Sequence, residues 1–203
     1  MIWIGIDPSI EHTGIAVLNI NGDLETAKVL GLGVTKLPSK LGDGRVGEIA
    51  NYLTDFLIDS GADGSSKALA IIEKPTFENS ERGKQLFYGG KNKSKGFNKL
   101  CMAAGAAISS VSFLGIDYAL VTAYQWKHGT TKPAIKSRVE ELFGVRKWRR
   151  EDEWEAVGLA CWGFAQQGSY NIWETNHARR VVQGSTRFNQ PTDKRERVLR
   201  QDL

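Results

Sequence analysis

The chain begins MIWIGIDPSIEHTGIAVLNI over residues 1–20, and this stretch decides the fold. Its first apolar run, Ile-Trp-Ile-Gly-Ile, is nearly continuous and ends in a carboxylate at Asp7, a pattern typical of a buried strand. A second apolar run over 13–20 is followed at once by Asn21-Gly22, which is a strong hairpin signal. The first strands are therefore predicted to form an antiparallel meander, with a third strand over 24–34.

Periodic patterns continue beyond this meander. Apolar residues at helical spacing predict a first helix over 44–59, and a short apolar run over 68–72 that ends in Glu73 predicts a strand parallel to the first. The remaining predicted elements are a helix over 97–114, a fifth strand over 118–122, a helix over 134–143 that follows Pro133, and a last helix over 151–167. The predicted class is α/β, with a five-stranded mixed sheet of three antiparallel strands and then two parallel strands, flanked by helices.

The composition is that of an ordinary folded protein with an uneven charge. The 203 residues are 41% hydrophobic and 25% charged, which argues against disordered and low-complexity classes. The net charge is only +4, but residues 1–81 carry 6 basic and 12 acidic side chains, whereas residues 82–203 carry 21 and 11. This asymmetry favours a polyanionic partner. We assign residues 1–167 to one domain and 168–203 to a basic C-terminal extension of unknown role.

Nothing in the sequence predicts a secreted or membrane protein. No basic region precedes the first apolar run, and polar residues interrupt the longest apolar stretch, 101–121, whereas a membrane helix needs ~20 predominantly apolar residues. Cys101 and Cys161 lie in apolar surroundings, lack metal-ligand spacing and are predicted to be buried, reduced thiols. We expect a cytoplasmic location.

Two predicted strands each end in a carboxylate, Asp7 and Glu73. If these strands are parallel neighbours, both carboxylates emerge at the same edge of the sheet, where α/β proteins place their ligands. The alternative is that Asp7, before a proline, is a turn residue and that Glu73 merely ends a strand.

A further acidic pair, Asp152 and Glu155, lies at the start of the last helix, and its spacing of three places both side chains on one face. The pattern also matches a capping box, so helix capping is the alternative. If the pair faces Asp7 and Glu73, divalent cations are the simplest way to offset the repulsion between the carboxylates. Oxygen ligands without Cys or His spacing suit Mg²⁺ or Mn²⁺ rather than zinc.

A glycine-rich segment over 78–96 has little periodicity and is predicted to be a mobile basic loop. Its cations, with one just beyond it, are the predicted contacts to the polyanionic partner. They are Arg82, Lys84, Lys91, Lys93, Lys95 and Lys99. Contacts from such a loop to phosphates give affinity without reading the base sequence.

Three motifs resemble, in order and spacing, the RuvC-type Holliday junction resolvases. Residues 4–17, IGIDPSIEHTGIAV, are similar to the first strand and turn of that family. Residues 70–73, AIIE, are similar to the strand that carries its catalytic Glu, and residues 152–160, DEWEAVGLA, resemble its closing D-x-x-D helix. The resemblance covers 1–167 and implies an RNase H-like fold, a homodimer, two Mg²⁺ per active site and paired nicking of four-way DNA junctions.

The resemblance also implies roles for individual residues. The implied metal ligands are Asp7, Glu73, Asp152 and Glu155, the last standing where the family has Asp. Lys127 and Lys136 match active-site lysines, although each also fits a solvated helix face. Phe77 matches an aromatic residue that the family uses against junction bases, and a loop anchor is the alternative for it. Mn²⁺ is expected to substitute for Mg²⁺.

Three other functions fit parts of the pattern. One is a different RNase H-like nuclease, such as a transposase or a flap- or hybrid-cutting enzyme. Another is a non-catalytic relative that binds branched DNA, although the four acidic positions argue for catalysis. The third is an actin-like phosphotransferase, which normally needs two such domains, and the sequence contains no G-x-x-x-x-G-K-[ST] motif.

Overall fold

The computed structural model describes residues 1–36, 44–63, 67–75, 93–144 and 150–168, with side chains described from residue 97 in the fourth range and up to residue 167 in the last. All of these residues belong to one compact unit. Apart from Gly168, the predicted extension over 168–203 lies outside the described residues. Within the described part, no helix is both long enough and apolar enough to cross a membrane.

Five strands and five helices are described. In chain order they are β1 Ile2–Asp7, β2 Gly14–Asn19, β3 Lys28–Val34, α1 Arg45–Asp59, β4 Ala68–Glu73, α2 Lys93–Phe113, β5 Asp117–Val121, α3 Ala123–Lys127, α4 Lys132–Phe143 and α5 Glu151–Gly168. The strands lie in the order β3-β2-β1-β4-β5. β1 pairs antiparallel with β2 and parallel with β4, β2 pairs antiparallel with β3, and β4 pairs parallel with β5. The predicted five-stranded mixed sheet is confirmed.

Alternate residues of the central strands face opposite sides of the sheet. On one side, Ile4 and Ile6 of β1 and Ile72 of β4 pack against apolar side chains of α1 and α2, and we call this side the α1/α2 face. On the other side, Trp3 of β1 and Ile71 of β4 pack against α3, α4 and α5, and we call this side the α5 face. Because strand residues alternate between faces, Asp7 and Glu73 lie on the α5 face.

Helix α5 lies very close to β1 and β2 because glycines replace side chains beneath it. A Cβ atom at Gly5 would overlap the carbonyl oxygen of Ala156, and one at Gly14 would overlap that of Asp152. Gly14 pairs with Asp7 at the end of β1, whereas Gly5 lies earlier in that strand. Helix α5 therefore begins beside the end of β1 and runs antiparallel to it.

The predicted antiparallel hairpin of β2 and β3 is present, but its connection is longer than predicted. β3 begins at Lys28 rather than at residue 24. The N-terminal ammonium group of Met1 donates to Oδ1 of Asn21 at 2.7 Å, and Leu24 is buried in the core. Tertiary contacts made by the connection therefore lengthen it beyond Asn21-Gly22.

Two predicted boundaries in the second half were also wrong. Helix α2 begins at Lys93, not at 97, so the last residues of the predicted mobile loop are helical. No proline opposes this extension, and Gly96 costs only about 1 kcal/mol relative to alanine in a helix. Helix α4 begins at Lys132, two residues before its predicted start, with Pro133 in its first turn. The short helix α3 was not predicted.

The two cysteines differ in burial. Cys161 on α5 is buried, as predicted, whereas Cys101 lies on an exposed part of α2, so its predicted burial was wrong. Both are free thiols.

Candidate active site

The parallel pairing of β1 and β4 brings Asp7 and Glu73 to one edge of the sheet. Ile6 pairs with Ile72 in the register of the two strands, so the residues that follow them, Asp7 and Glu73, lie at the same level. The prediction that the two strands are parallel neighbours is confirmed. Both carboxylates are partly buried on the α5 face.

Helix α5 adds two more carboxylates to this edge. One oxygen each from Asp7, Asp152 and Glu155 lie within 4.8 Å of one another. Because the helix begins at Glu151, Asp152 lies in its first turn rather than at the N-cap position. The carboxylate of Glu155 contacts lysines rather than the backbone of a cap. Asp152 and Glu155 therefore do not form a capping box, although an acidic residue in the first turn also suits the positive end of the helix dipole.

Among these carboxylates, the pKa of Asp7 is raised most clearly. Burial raises the pKa of Asp7 well above its ordinary value of 3.8, and the charges of Glu73 and Glu155 raise it further, although Lys127 opposes them. Burial also raises the pKa of Asp152 above its ordinary value. The folded chain therefore holds these carboxylates in a charged form only at a cost in free energy, which a bound cation would reduce.

Two lysines neutralise part of the acidic cluster. Lys127 Nζ lies 3.0 Å from Oε1 of Glu155 and 3.5 Å from Oε2 of Glu73. Lys132 Nζ lies 3.2 Å from Oε2 of Glu155 and 3.1 Å from Oε1 of Glu151. Burial lowers the pKa of each lysine, but the neighbouring carboxylates outweigh it, so each pKa is raised above its ordinary value. Each oxygen of the buried Glu155 carboxylate thus has an ammonium group beside it.

Glu73 has a further partner that sequence reasoning missed. The indole Nε1 of Trp126 donates to Oε2 of Glu73 at 2.5 Å. Lys127 Nζ lies 4.8 Å from the centroid of the same indole ring. Lys132 was missed as well. The capping box Thr122-x-x-Gln125 signals helix α3, which carries Trp126, but the sequence contains no comparable signal for Lys132.

The loop after Asp7 is held by hydrogen bonds around two threonines. The Thr13 hydroxyl donates to the Ser9 carbonyl at 2.5 Å, and the Thr13 N–H donates to Oγ1 of Thr35 at 2.8 Å. His12, in this loop, lies with Nδ1 3.4 Å from the Thr35 carbonyl oxygen. Among the groups that act on Asp152, His12 lowers the pKa of that carboxyl, against the larger effect of burial.

Other predicted site residues lie elsewhere or outside the described chain. Lys136 is on α4, one turn beyond Lys132, and its ion pair is with Glu140 at 3.8 Å. Lys99 is an exposed residue of α2, and the backbones of Lys93 and Lys95 belong to the first turn of that helix. Four predicted DNA-contacting residues lie outside the described residues, namely Phe77, Arg82, Lys84 and Lys91.

The donor set fits a hard divalent cation. Asp7, Asp152 and Glu155 offer three carboxylate oxygens at mutual distances that one ion can span, and Glu73 ends the neighbouring strand. No cysteine belongs to this group, and carboxylate oxygens are the ligands preferred by Mg²⁺ and Mn²⁺. The raised pKa of Asp7 is the expected property of a carboxylate cluster built to receive positive charge.

Comparison with known proteins was made by sequence and by structure. No family model and no curated protein sequence matches this chain. Among solved structures, Thermus thermophilus RuvC in complex with a Holliday junction substrate aligns with a TM-score of 0.63 and 20% sequence identity, covering 84% of this chain and 98% of that chain. The chain has the RuvC fold. The resemblance drawn from the sequence and the predicted RNase H-like class are thereby confirmed at the level of fold.

Two further structures were similar. A second Thermus thermophilus RuvC structure aligns with a TM-score of 0.62 and 20% identity, covering 83% of this chain and 97% of that chain. The fowlpox virus Holliday junction resolvase aligns with a TM-score of 0.41 and 15% identity, covering 84% of this chain and 100% of that chain.

Proposed function

We propose that this chain is a structure-selective endonuclease that resolves four-way DNA junctions by metal-dependent hydrolysis of phosphodiester bonds. One observation carries the proposal. Carboxylates from β1 and β4 meet two from the start of α5 at one edge of the sheet, and two lysines lie against them. The RuvC fold supports the choice of substrate, because one RuvC of this fold was solved with a Holliday junction.

Asp7, Glu73, Asp152 and Glu155 would hold two Mg²⁺ ions, and Mn²⁺ would substitute. Held by these residues, such ions would make water a better nucleophile at neutral pH and would offset negative charge at the phosphate. The chain itself provides fixed carboxylates on two strands and one helix. No covalent nucleophile from the protein is needed for this reaction.

Lys127 is the residue that we expect to stabilise negative charge on the phosphate. Its ammonium group is close to Glu73 and Glu155, and the raised pKa keeps it charged at neutral pH. A fixed positive charge at this edge stabilises the extra negative charge that a phosphate acquires in the transition state. Lys136 stays a proposed second lysine, since its described partner is Glu140 on its own helix.

Substrate binding would use the basic second half of the chain. Lys93, Lys95 and Lys99 on α2, with the basic residues that precede them, would contact phosphates without reading base sequence. Phe77 would stack on an unpaired base. Because two nicks must be placed together, we also propose a homodimer, and we place the enzyme in the cytoplasm of a bacterium or of a phage host.

The test is a cleavage assay that compares a four-way junction with a linear duplex of the same sequence. With Mg²⁺ or Mn²⁺ we expect symmetric pairs of nicks that leave 5′-phosphates, and no cutting in chelator. Light scattering of the DNA complex should show a protein mass of twice 22.4 kDa. Equal cutting of linear duplex, or cutting of hybrids instead of junctions, would assign the chain to another kind of RNase H-like nuclease. Junction binding without cutting in any divalent cation would contradict catalysis.

A further inference from the structure

We propose that Trp126 is a positioning residue for Glu73, whose carboxylate it orients toward the cation site. The inference rests on the proposed function, because it concerns a carboxylate that we assign to the metal site. Trp126 donates its only polar hydrogen to Oε2 of Glu73 at 2.5 Å. A hydrogen bond to an ionised acceptor is short and strong, so it fixes one oxygen and directs the other.

The pairing of β4 with β5 positions Trp126 beside Glu73. Glu73 pairs with Val121 on β5, and the N–H of Lys74 donates to the Val121 carbonyl at 2.7 Å. Helix α3 begins two residues after Val121, so its side chains reach the carboxyl end of β4 directly. The position of the indole is therefore tied to the same strand pair that carries Glu73.

A capping box fixes the short helix that carries Trp126. The Thr122 hydroxyl accepts from the Gln125 N–H at 3.0 Å, and Oε1 of Gln125 accepts from the Thr122 N–H at 2.8 Å. The helix ends after one turn at His128, whose φ of 46° is left-handed. A helix of five residues has little stability of its own, so this capping explains how the indole keeps one orientation.

Burial holds the indole in one orientation. Trp126 is completely buried in the core of the α5 face, whereas the side chain of Glu73 keeps 20% of its exposure. A buried indole N–H needs an acceptor, and a partly exposed carboxylate at a strand end has more rotamers open to it. The contact therefore removes conformational freedom from Glu73 rather than from Trp126, whose packing already holds it.

The geometry suggests why Glu73 needs this contact more than the other three carboxylates. Asp7, Asp152 and Glu155 form a group with mutual distances below 4.8 Å, and Glu73 lies outside it. Yet Glu73 ends the strand next to Asp7, and its charge raises the pKa of Asp7 more than any other neighbouring charge does. Partners that orient a metal ligand typically change metal affinity or activity by about 10–100-fold.

The chain contains a matched control in Trp3. It is also fully buried on the α5 face, and its Nε1 has no hydrogen-bond partner in the described part of the chain. Replacing either tryptophan by phenylalanine removes the same atoms from the same core. Only Trp126→Phe also removes a donor to Glu73, and phenylalanine keeps an aromatic ring beside Lys127.

The first experiment measures Mn²⁺ affinity without DNA, from the paramagnetic resonance signal of free Mn²⁺, in both variants. We expect Trp126→Phe to weaken Mn²⁺ binding by about 10-fold or more, and Trp3→Phe to change it by less than about twofold, while both lower the Tm. In a Glu73→Gln background, Trp126→Phe should produce no further loss of affinity, because the two residues act through one carboxylate.

A second measurement uses the unsubstituted protein and does not depend on how the variants fold. One of the six indole N–H resonances in a ¹⁵N-labelled sample should lie downfield, as a hydrogen bond to a carboxylate requires, and should shift when Mg²⁺ is added. Equal Mn²⁺ affinities for Trp126→Phe and Trp3→Phe would overturn the proposal. So would additive losses of affinity when Trp126→Phe is combined with Glu73→Gln, or indole resonances that do not shift when Mg²⁺ is added. A wild-type protein that binds Mn²⁺ but cuts no junction would overturn only the proposed function.

Discussion

The α1/α2 face and the α5 face are built from alternate residues of the same strands, yet they end differently. The α1/α2 face is apolar along β1 and β4, with Ile6 and Ile72 as its last residues. The α5 face begins with Trp3 and Leu69 but ends in Asp7 and Glu73, and burial and neighbouring negative charges raise the pKa of Asp7. One face therefore stabilises the domain, while the other gives up stability at one edge to hold charge, as functional sites often do.

The largest effect is expected from removing two charges at that edge. Asp152→Asn combined with Glu155→Gln keeps the size and shape of both side chains but removes two negative charges from the ligand set. We expect nicking of four-way junctions to fall by at least about 100-fold, with junction binding kept or improved because repulsion of the phosphates is lost. The measurement is the single-turnover nicking rate with the Tm and junction affinity of the same preparation.

The control for this prediction makes the same charge change on the other face. Glu48→Gln with Asp55→Asn alters two exposed carboxylates of α1. It should leave the nicking rate unchanged. Nicking by the Asp152/Glu155 variant within about threefold of wild type would remove these residues from the metal site.

Leucine-to-alanine substitutions in the two faces should have similar effects on stability but different effects on Mn²⁺ binding. Leu53 on α1 and Leu159 on α5 are both fully buried, so Leu53→Ala and Leu159→Ala should each cost about 2–5 kcal/mol in the free energy of unfolding. Only Leu159→Ala should also weaken Mn²⁺ binding, since it loosens the helix that carries two of the carboxylates. Denaturant melts and Mn²⁺ titrations test this. A similar loss of affinity in both variants would show that the faces are not independent.

The acidic edge should also make the metal-free protein less stable as pH rises. Asp7 has a pKa raised well above 3.8, so the folded chain binds its proton more tightly than the unfolded chain does. Below about pH 4 both states are protonated and the penalty is absent, and stability falls as pH rises through the folded pKa. In chelator at neutral pH we therefore expect Asp7→Asn to raise the Tm by a few degrees.

Melting curves in chelator from about pH 4 to about pH 8 check this expectation. The difference in Tm between Asp7→Asn and wild type should vanish in acid and grow with pH. Added Mn²⁺ should reverse its sign, because only the wild type gains a bound ion. A variant less stable than wild type in chelator at neutral pH would show that Asp7 stabilises the fold instead.

The smallest effect is expected from a single surface lysine. Lys99→Ala on α2 should weaken binding to all DNA shapes alike and reduce the slope of log affinity against log salt by ~0.9 for one lost phosphate contact. Lys28→Ala, an exposed position on the edge strand β3, is the control. A loss limited to junctions would mean that Lys99 reads DNA shape.

Much of the fold follows from local pattern. The apolar runs before Asp7 and Glu73 predicted both strands and their shared edge, because buried parallel strands need continuous apolar residues. The hairpin at Asn21-Gly22 was predicted correctly, but its third strand begins later than predicted, because the N-terminal ammonium group and the burial of Leu24 shape the connection. Such contacts join residues far apart in sequence, so a local signal cannot report them.

The sequence pointed to the carboxylates of the candidate site but not to the residues that contact them. Asp7, Glu73, Asp152 and Glu155 stand out because charges interrupt apolar patterns. Trp126 and Lys132 reach these carboxylates only through the packing of α3 and α4 against the sheet and α5, which periodicity does not reveal. A usable signal was overlooked at Gly5 and Gly14, because glycine inside a strand often marks the close approach of another backbone.

Diffraction at the Mn absorption edge from crystals soaked in Mn²⁺ tests the central claim most directly, since it locates the ions without assuming an activity. We predict two anomalous peaks about 3.5–4 Å apart at the carboxyl end of β1 and β4. These peaks should contact oxygens of Asp7 and of its neighbouring carboxylates on β4 and α5. Crystals that show Mn²⁺ elsewhere but none at this edge, with Asp7 and Glu155 ordered, would contradict the account.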